Sequence, residues 1–166
     1  MAKMYREVAE YTSQYKQESF SEIMEENKNP ITINDKQEYQ RLTVKLYGQG
    51  VVPRDVVMGK KIKTKEQKRT KINQFIVAEI DAKLRAFGII PKELENFIIS
   101  SHYFLFDLNT EKILPEYFDY MIRRVPYTEM IQPFVKETTN YVSIRPKHIL
   151  KLKMPLPTIT EQTRIC

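Results

Sequence analysis

Residues 73–91 read NQFIVAEIDAKLRAFGIIP, and this stretch decides the fold. It begins with an apolar run that reaches Ile80 and ends with a second apolar run at 86–91. Short apolar runs bounded by turn residues are typical of buried strands, and Gly88 and Pro91 mark turns or strand ends. A further apolar run, rich in β-forming residues, covers 96–108. The pattern predicts a strand, a turn and a strand at 73–91, followed by more strand.

The flanking sequence adds strands and a helix. Residues 41–47 alternate between polar and apolar side chains, which predicts a half-buried strand, and residues 141–145 alternate in the same way. Pro115 stands at the first position of a predicted helix, which Val125 and Pro126 close. Because strands and helices mix without a regular βαβ order, we predict an α+β domain with a mixed or antiparallel sheet and flanking helices.

Both ends of the chain are predicted to be helical. Residues 1–28 contain neither proline nor glycine, and Ser19 with Glu22 fits a capping box for a second short helix that starts near Phe20. Thr158 with Glu161 forms the same pattern near the C-terminus, which predicts the start of a longer helix. The predicted organisation is an N-terminal helical segment at 1–30, a globular domain at 31–157 and the start of a truncated helix at 158–166.

The composition is that of a globular protein with one domain. The chain has 166 residues, of which 42% are hydrophobic and 29% charged, and this length suffices for one ordinary core. Cys166 is the single cysteine, so a disulfide within the chain and a cysteine-based metal site are excluded. The sequence contains no apolar run of the kind that forms a signal peptide or spans a bilayer. We expect a cytoplasmic protein without a membrane partner.

Positive charge is concentrated in one part of the chain. The net charge is +6, yet residues 41–71 alone contain ten Lys or Arg against two Asp or Glu. Within them, seven of the twelve residues at 60–71 are cationic, and the interleaved Thr and Gln can donate to phosphate oxygens. We predict that this run binds nucleic-acid phosphates, with a solvated loop as the alternative. The predicted phosphate ligands are Lys60, Lys61, Lys63, Lys65, Lys68, Arg69 and Lys71.

Other side chains have the chemistry to read base edges. Asn, Ser, Thr and Arg side chains in residues 138–145 can reach bases or phosphates, and an aromatic ring beside the glycines at 48 and 50 can stack or contact a backbone. Plain turns are the alternative for both segments. The predicted base-reading candidates are Tyr47, Gln49, Arg54, Thr139, Asn140, Tyr141, Ser143 and Arg145.

Catalytic sites receive less support. Asp55 with Glu66 and Lys68 matches the spacing of acidic and basic residues in Mg²⁺-dependent nucleases, but such short charged patterns recur by chance. His102 and His148 have no Cys or His at ligand spacing. We predict neither a catalytic nor a metal site in this chain.

Three stretches together resemble the specificity (S) subunit of type I restriction-modification enzymes, and within it a single target-recognition domain. The first covers 41–55, followed by Gly59. The second covers 75–94 and is similar to the family signature I-D-A-R-x-G-A-F-G-I-V-P, and the third covers 154–165 and is similar to I-P-L-P-P-L-x-E-Q-x-R-I. The stretches occur in the family's order. Arg85 departs from the pattern because it stands where the family usually has Gly.

The resemblance implies a non-catalytic domain that reads one half of a bipartite target in double-stranded DNA. It further implies that methyltransferase (modification) subunits bind the adjoining helices and that a restriction subunit joins through the complex. S-adenosylmethionine, ATP and Mg²⁺ would then act in the partner subunits, and this chain would hold no cofactor. Two alternatives stay open: the recognition domain of a fused restriction-methyltransferase, and a protein-interaction domain that does not bind DNA. The signature residues are expected to build the scaffold or the partner surface, among them Asp81, Phe87, Gly88, Pro155 and Pro157.

Overall fold

The computed structural model describes residues 14–124, 136–138 and 141–166, with the backbone alone for 136–138 and 141–143. The strands are β1 (Gln17–Ser19), β2 (Met24–Glu26), β3 (Pro30–Thr32), β4 (Glu38–Val44), β5 (Val51–Met58), β6 (Glu66–Arg69), β7 (Phe75–Ala78), β8 (Phe87–Ile89), β9 (Ile98–Ile99), β10 (Tyr103–Leu108), β11 (Lys136–Thr138), β12 (Tyr141–Ser143) and β13 (Lys153–Pro155). The α-helices are α1 (Phe20–Ile23), α2 (Pro115–Ile122), α3 (Pro146–Ile149) and α4 (Ile159–Ile165), and 3₁₀ turns cover Gly59–Lys61, Ala82–Leu84 and Lys92–Leu94. This order of elements confirms the predicted α+β class.

The first apolar run of residues 73–91 forms β7, whose four residues are all buried. β7 pairs antiparallel with β8, where Ile76 faces Gly88, and with β10, where Ile76 faces Leu105. The four-stranded sheet has the order β2-β10-β7-β8. The strand, turn and strand predicted at 73–91 are therefore confirmed.

A second, five-stranded sheet has the order β3-β6-β9-β4-β5. β4 pairs antiparallel with β5 and parallel with β9, so the sheet is mixed, as predicted. Ile98 belongs to a small apolar cluster with Ile33, Tyr39 and Ile62, whereas the next residue, Ile99, belongs to a larger cluster that includes Ile76. Because successive side chains of a strand point to opposite faces, the two clusters lie on opposite faces of this sheet.

The chain divides into two compact units, unit 1 (1–25 and 108–166) and unit 2 (26–107). In unit 1, β1 pairs antiparallel with β13, and the rings of Phe20 and Phe118 pack edge to face with centroids 5.4 Å apart. The Tyr117 hydroxyl donates to the Pro155 carbonyl oxygen at 2.6 Å, and burial raises the pKa of that hydroxyl. The units group the chain differently from the predicted domain boundaries, which stay a prediction.

In residues 14–28 the structure confirms the short helix predicted to start near Phe20, but the prediction that the rest of this segment is helical is wrong. Residues 17–19 and 24–26 form strands, and only the four residues of α1 are helical. Glu18 faces Met154 across the β1–β13 pair, and Phe20 N donates to Leu152 O at 2.7 Å. Pairing with a distant strand thus overrides a weak local preference for helix. Residues 1–13 lie outside the described ranges.

The predicted starts of the two later helices are confirmed. α2 begins at Pro115, as predicted, and ends at Ile122, while the predicted closing pair at 125–126 falls outside the described residues. α4 begins directly after Thr158, whose Oγ1 accepts a hydrogen bond from Glu161 N at 3.3 Å. In the described ranges, each helix is too short or too polar to cross a bilayer.

Candidate nucleic-acid interface

The basic segment 60–71 is not a simple loop, because it begins in the 3₁₀ turn Gly59–Lys61 and continues into β6. Gly59 N donates to Gln37 O at 2.7 Å, which attaches the turn to the loop before β4. The two backbones approach so closely that a Cβ at Gly59 would overlap the Asn34 carbonyl oxygen. A glycine is required here, and the lysines that follow it are held at a defined place on the surface.

Four of the seven predicted phosphate ligands have exposed side chains: Lys60, Lys61, Lys63 and Lys71. Lys65 is half-buried, and its Nζ donates to Asp35 Oδ1 at 2.6 Å and to Gly59 O at 2.8 Å. Its charge is therefore largely neutralised by the neighbouring carboxylate. The four exposed lysines, called the lysine cluster below, are the part of the run that can meet a polyanion.

Lys68 was predicted to bind phosphate, but its side chain is buried, so the prediction for this residue is corrected. Its Nζ donates to the Tyr103 carbonyl oxygen at 2.6 Å and lies 5.5 Å from the centroid of the Phe104 ring. Burial lowers the pKa of the ammonium from its ordinary value. The ammonium is used inside the protein, so we leave Lys68 out of the phosphate surface. Arg69 is half-buried, and its Nη1 donates to Asn96 O at 2.9 Å.

Arg54, a predicted base reader, occupies a β-bulge in β5. Arg41 of β4 faces Asp55, and the next residue, Leu42, faces Pro53, so Arg54 is the extra residue of the strand. Bulges bend a strand and change the direction of a side chain, and they are common beside functional sites. β5 is the edge strand of the five-stranded sheet among the described strands, and 56% of the Arg54 side chain is exposed.

Asp55 joins two arginines at this bulge. Arg41 Nε and Nη2 donate to Asp55 Oδ1 and Oδ2, both at 2.7 Å, and Arg54 Nε lies 3.8 Å from Oδ2. The hydrogen bonds from Arg41 hold the pKa of the Asp55 carboxyl below its ordinary value. The carboxylate therefore stays ionised and keeps both guanidinium groups near one point of the surface.

A pocket of about 150 Å³ lies beside this arginine pair. Its polar lining includes Arg41, Thr43, Arg54, Gln67 and Ser100. Such a mixture of charged donors, hydroxyls and an amide can form hydrogen bonds with base edges or phosphates. Sequence reasoning missed Thr43, Gln67 and Ser100 as site residues, because only the pairing of β4, β6 and β9 brings these distant positions together.

Tyr47 and Gln49 lie in the hairpin loop that joins β4 to β5, and both side chains are exposed. Arg54 is in the middle of β5, and the 3₁₀ turn Gly59–Lys61, called the lysine turn below, follows the end of that strand. Eight residues of strand span roughly 23 Å from the first Cα to the last, a length comparable to roughly seven base pairs of DNA. The hairpin loop, Arg54 and the lysine turn thus lie in succession along one edge of the sheet.

The remaining candidates belong to unit 1. Thr139 and Asn140 lie outside the described residues, and Tyr141 and Ser143 are described by their backbone alone, as parts of β12. Arg145 is exposed and precedes α3, where its backbone N–H donates to His148 Nδ1 at 3.1 Å. The base-reading role of these residues stays a prediction.

The arrangement of the acidic residues argues against a nuclease centre. Asp55 lies on β5 and is bound by Arg41, whereas Glu66 lies on β6 and accepts a hydrogen bond from Thr32 Oγ1 at 3.0 Å. Two strands separate β5 from β6, which places them about 14 Å apart, too far for both carboxylates to ligate one Mg²⁺. Over the part of the chain that is described, no group of three His, Cys, Asp or Glu could hold a metal ion.

The comparisons with solved structures find S subunits of type I restriction-modification (R-M) systems. HsdS from Thermoanaerobacter tengcongensis is similar with a TM-score of 0.70 and 18% identity, over 91% of this chain and 40% of that chain. A chain from a study of complex assembly and conformational transition of the type I R-M system has a TM-score of 0.75 and 17% identity, over the same 91% and 40%. The S subunit from M. genitalium has a TM-score of 0.59 and 14% identity, over 92% and 37%. No protein-family model and no curated protein matches the sequence.

At such identities the likeness concerns the fold, and the chain spans about two fifths of the length of the first two solved chains. The signature residues have the structural roles expected of a scaffold. Phe87 is buried, and a Cβ at Gly88 would lie 2.9 Å from Val51 Cγ2. The carbonyl oxygen of Asp81 accepts hydrogen bonds from Leu84 N and Ala86 N, which closes the turn before β8. The resemblance found in the sequence is thus confirmed by structure: over 91% of its length, this chain has the fold of type I restriction-modification specificity subunits.

Proposed function

We propose that this chain is a target-recognition domain of a type I specificity subunit, and that it reads one half of a bipartite site in double-stranded DNA. The observation that carries the proposal is the cationic edge of the five-stranded sheet, on a fold shared with specificity subunits. Exposed Arg54 lies on β5 and the exposed Lys60, Lys61 and Lys63 follow its end, whereas Lys71 adds a positive charge after β6. Such charge is what DNA binding requires, because phosphates dominate affinity.

The two parts of this edge have different tasks in the proposal. The lysine cluster binds phosphates as point charges, which fixes the position of the domain but carries no sequence information. Arg54 and the polar groups of the neighbouring pocket read base edges, since arginine and amide side chains match the donor and acceptor patterns of the major groove. Mutations in the lysine cluster should therefore affect DNA affinity, whereas mutations at Arg54 or in the pocket should affect sequence specificity.

The catalytic steps belong to partner subunits in this proposal. Methyltransferase subunits would transfer a methyl group from S-adenosylmethionine to adenine, and a restriction subunit would use ATP and Mg²⁺ for cleavage, in the cytoplasm. The domain contributes by holding these subunits at the site whose sequence it reads. Co-purification of this chain with a cognate methyltransferase subunit, and its failure to cleave or methylate DNA alone, are the expected results.

Selection from a pool of random duplexes, followed by sequencing, tests the proposal directly. We expect the chain to enrich a motif of a few base pairs at low and moderate salt, with stronger enrichment when the methyltransferase subunit is present. Binding without any motif would contradict base reading while leaving phosphate binding in place. Failure to bind DNA, with the partner and at micromolar protein, would favour the protein-interaction alternative.

The lysine cluster yields a first quantitative prediction. Replacing Lys60, Lys61, Lys63 and Lys71 together with Ala should weaken binding to every DNA sequence and reduce the salt dependence, because log K changes by about 0.9 per log unit of salt for each phosphate contact. If each of the four lysines contacts one phosphate, a decrease of about 3.6 in the slope is expected, measured by titration at several salt concentrations.

A matched control has the same net charge but lacks four exposed lysines elsewhere: Lys92, Lys112, Lys151 and Lys153. This control should keep most of the slope. Equal slopes for the two quadruple variants would show that net charge, rather than this surface, determines binding.

A further inference from the structure

A few described residues other than glycine have a left-handed backbone conformation. Among the described residues, five other than glycine have a positive φ, and three of them are asparagines, at positions 29, 73 and 96. Asparagine adopts this left-handed conformation at little cost, because its short polar side chain bonds locally. The other two are Tyr47, with φ 61°, and Arg85, with φ 60°. The Tyr47 side chain has no polar group close to its own backbone, so it cannot compensate for the strain as asparagine does.

The two unusual residues lie in loops that are bonded to each other. Tyr47 N donates to Leu84 O at 2.7 Å, and Gly48 N donates to Arg85 O at 2.9 Å. β8 packs against the same hairpin loop, since a Cβ at Gly88 would lie 3.3 Å from Gly50 Cα. The surrounding structure therefore imposes the conformation of Tyr47, which is the condition under which strained residues persist, often at functional sites.

The strained backbone holds a large ring in solvent. Tyr47 is 64% exposed, the highest value among the exposed large hydrophobic residues of the described chain. Burial therefore does not offset the strain. Lys45 and Lys83 are also exposed in these two loops.

We propose that Tyr47 is a DNA-contacting residue, and that the paired loops 45–50 and 82–85 form a second DNA contact surface. This inference rests on the proposed function, and it gives Tyr47, a base-reading candidate from the sequence, a binding surface and a binding mode. The ring packs against a deoxyribose or an accessible base face, where aromatic side chains provide contact area at little entropic cost. Lys45 and Lys83 bind the adjacent phosphates. The surface lies at the opposite end of β5 from the lysine turn, so the two surfaces together hold the duplex at two points.

Three substitutions test whether Tyr47 contacts DNA or is only part of a turn. Tyr47→Asn removes the ring and places at 47 the residue type that the chain uses at its other left-handed positions. Its thermal unfolding midpoint should equal or exceed that of the unaltered chain, while its dissociation constant for DNA rises about tenfold, the scale of losing one aromatic contact. Tyr47→Phe keeps the ring and should bind within about twofold of the unaltered chain. Asn96→Gly changes a left-handed position away from these loops and should leave binding unchanged.

A stable Tyr47→Asn variant with weakened binding supports the proposal, because loss of folding cannot explain it. Unchanged binding by Tyr47→Asn, in a chain that does bind DNA, would overturn this inference and leave the proposed function standing. Weaker association with a methyltransferase subunit, with DNA affinity unchanged, would assign the loop to a protein partner and also overturn it. Failure of the unaltered chain to bind DNA would overturn both.

Discussion

Arg54 differs from the exposed lysines because the structure limits where its guanidinium lies. It is the extra residue of a bulge, and it shares the carboxylate of Asp55 with Arg41. A planar guanidinium presents a rigid fork of donors that matches two acceptors on guanine, whereas an ammonium is a single flexible point charge. Arg54 therefore has the chemistry for reading a base, and the lysines have the chemistry for phosphates.

Substitutions at Arg54 should change specificity more than affinity. Arg54→Lys keeps the charge and loses the bidentate geometry, so we expect about 1 to 3 kcal/mol less discrimination at one position of the selected motif. Arg54→Ala should lose the same preference and also part of the salt dependence. Selection and sequencing with each variant measures this, and an unchanged motif with Arg54→Lys would show that Arg54 only contacts phosphate.

Lys68 shows why single residues in a charged run are hard to assign from sequence. The run at 60–71 has no apolar alternation that would indicate a strand, yet Gln67 and Lys68 are both buried in β6. The burial of Lys68 depends on Tyr103 and Phe104, which come more than thirty positions later in the chain. Composition predicts that the segment is basic, but only the tertiary partners determine which cations face solvent.

The 3₁₀ turn that carries Lys60 and Lys61 depends on one close backbone approach. A Cβ at Gly59 would overlap the Asn34 carbonyl oxygen, a backbone atom that cannot move independently. At Gly88 the nearest atom is instead the Val51 Cγ2, at 2.9 Å, which is part of a side chain. An added Cβ should therefore destabilise the protein more at Gly59, where it meets backbone, than at Gly88, where it meets a side chain.

We expect Gly59→Ala to destabilise the protein by about 3 kcal/mol and Gly88→Ala by about 1 kcal/mol, the upper and lower ends of the usual cost of overpacking. Gly59→Ala should also weaken DNA binding, because it shifts the lysines that follow. Denaturant unfolding measures both stabilities under the same conditions. A larger loss for Gly88→Ala would mean that the turn at 59 adapts easily and does not position the lysines.

Elements with local signals were predictable and elements formed by distant pairing were not. β4 follows from alternation, and α2 and α4 follow from a proline and a threonine cap at their first turns. β1 and β2 have no such signal, because Glu and Gln favour helix locally. β1 pairs with β13, more than a hundred positions away, and β2 lies beside β10, more than seventy positions away. The candidate site could be proposed from the sequence as a basic region with Arg54 and Tyr47 as candidates, but its pocket could not.

At the scale of the whole molecule, the chain spans about two fifths of the solved specificity subunits to which it is similar. A domain of this size reading half a site makes only part of the contacts of a full complex, so its affinity alone should be modest. The proposed function therefore predicts a strong dependence on a second reading domain. Two linked domains convert the second binding event into an intramolecular one, with an effective concentration set by the linker.

Joining two copies of this chain with a flexible Gly/Ser linker tests that dependence. Duplexes with two copies of the selected motif should bind the linked protein about 10² to 10⁴ times more tightly than the single chain, but only at spacings that the linker can span. The single chain should gain no more than about twofold from the second motif, which merely doubles the number of sites. Binding measured over a series of spacings separates these cases, because avidity disappears when geometry forbids simultaneous contact. A linked protein with no preferred spacing and no gain in affinity would mean that each domain already makes its full set of contacts, which would contradict a half-site reader.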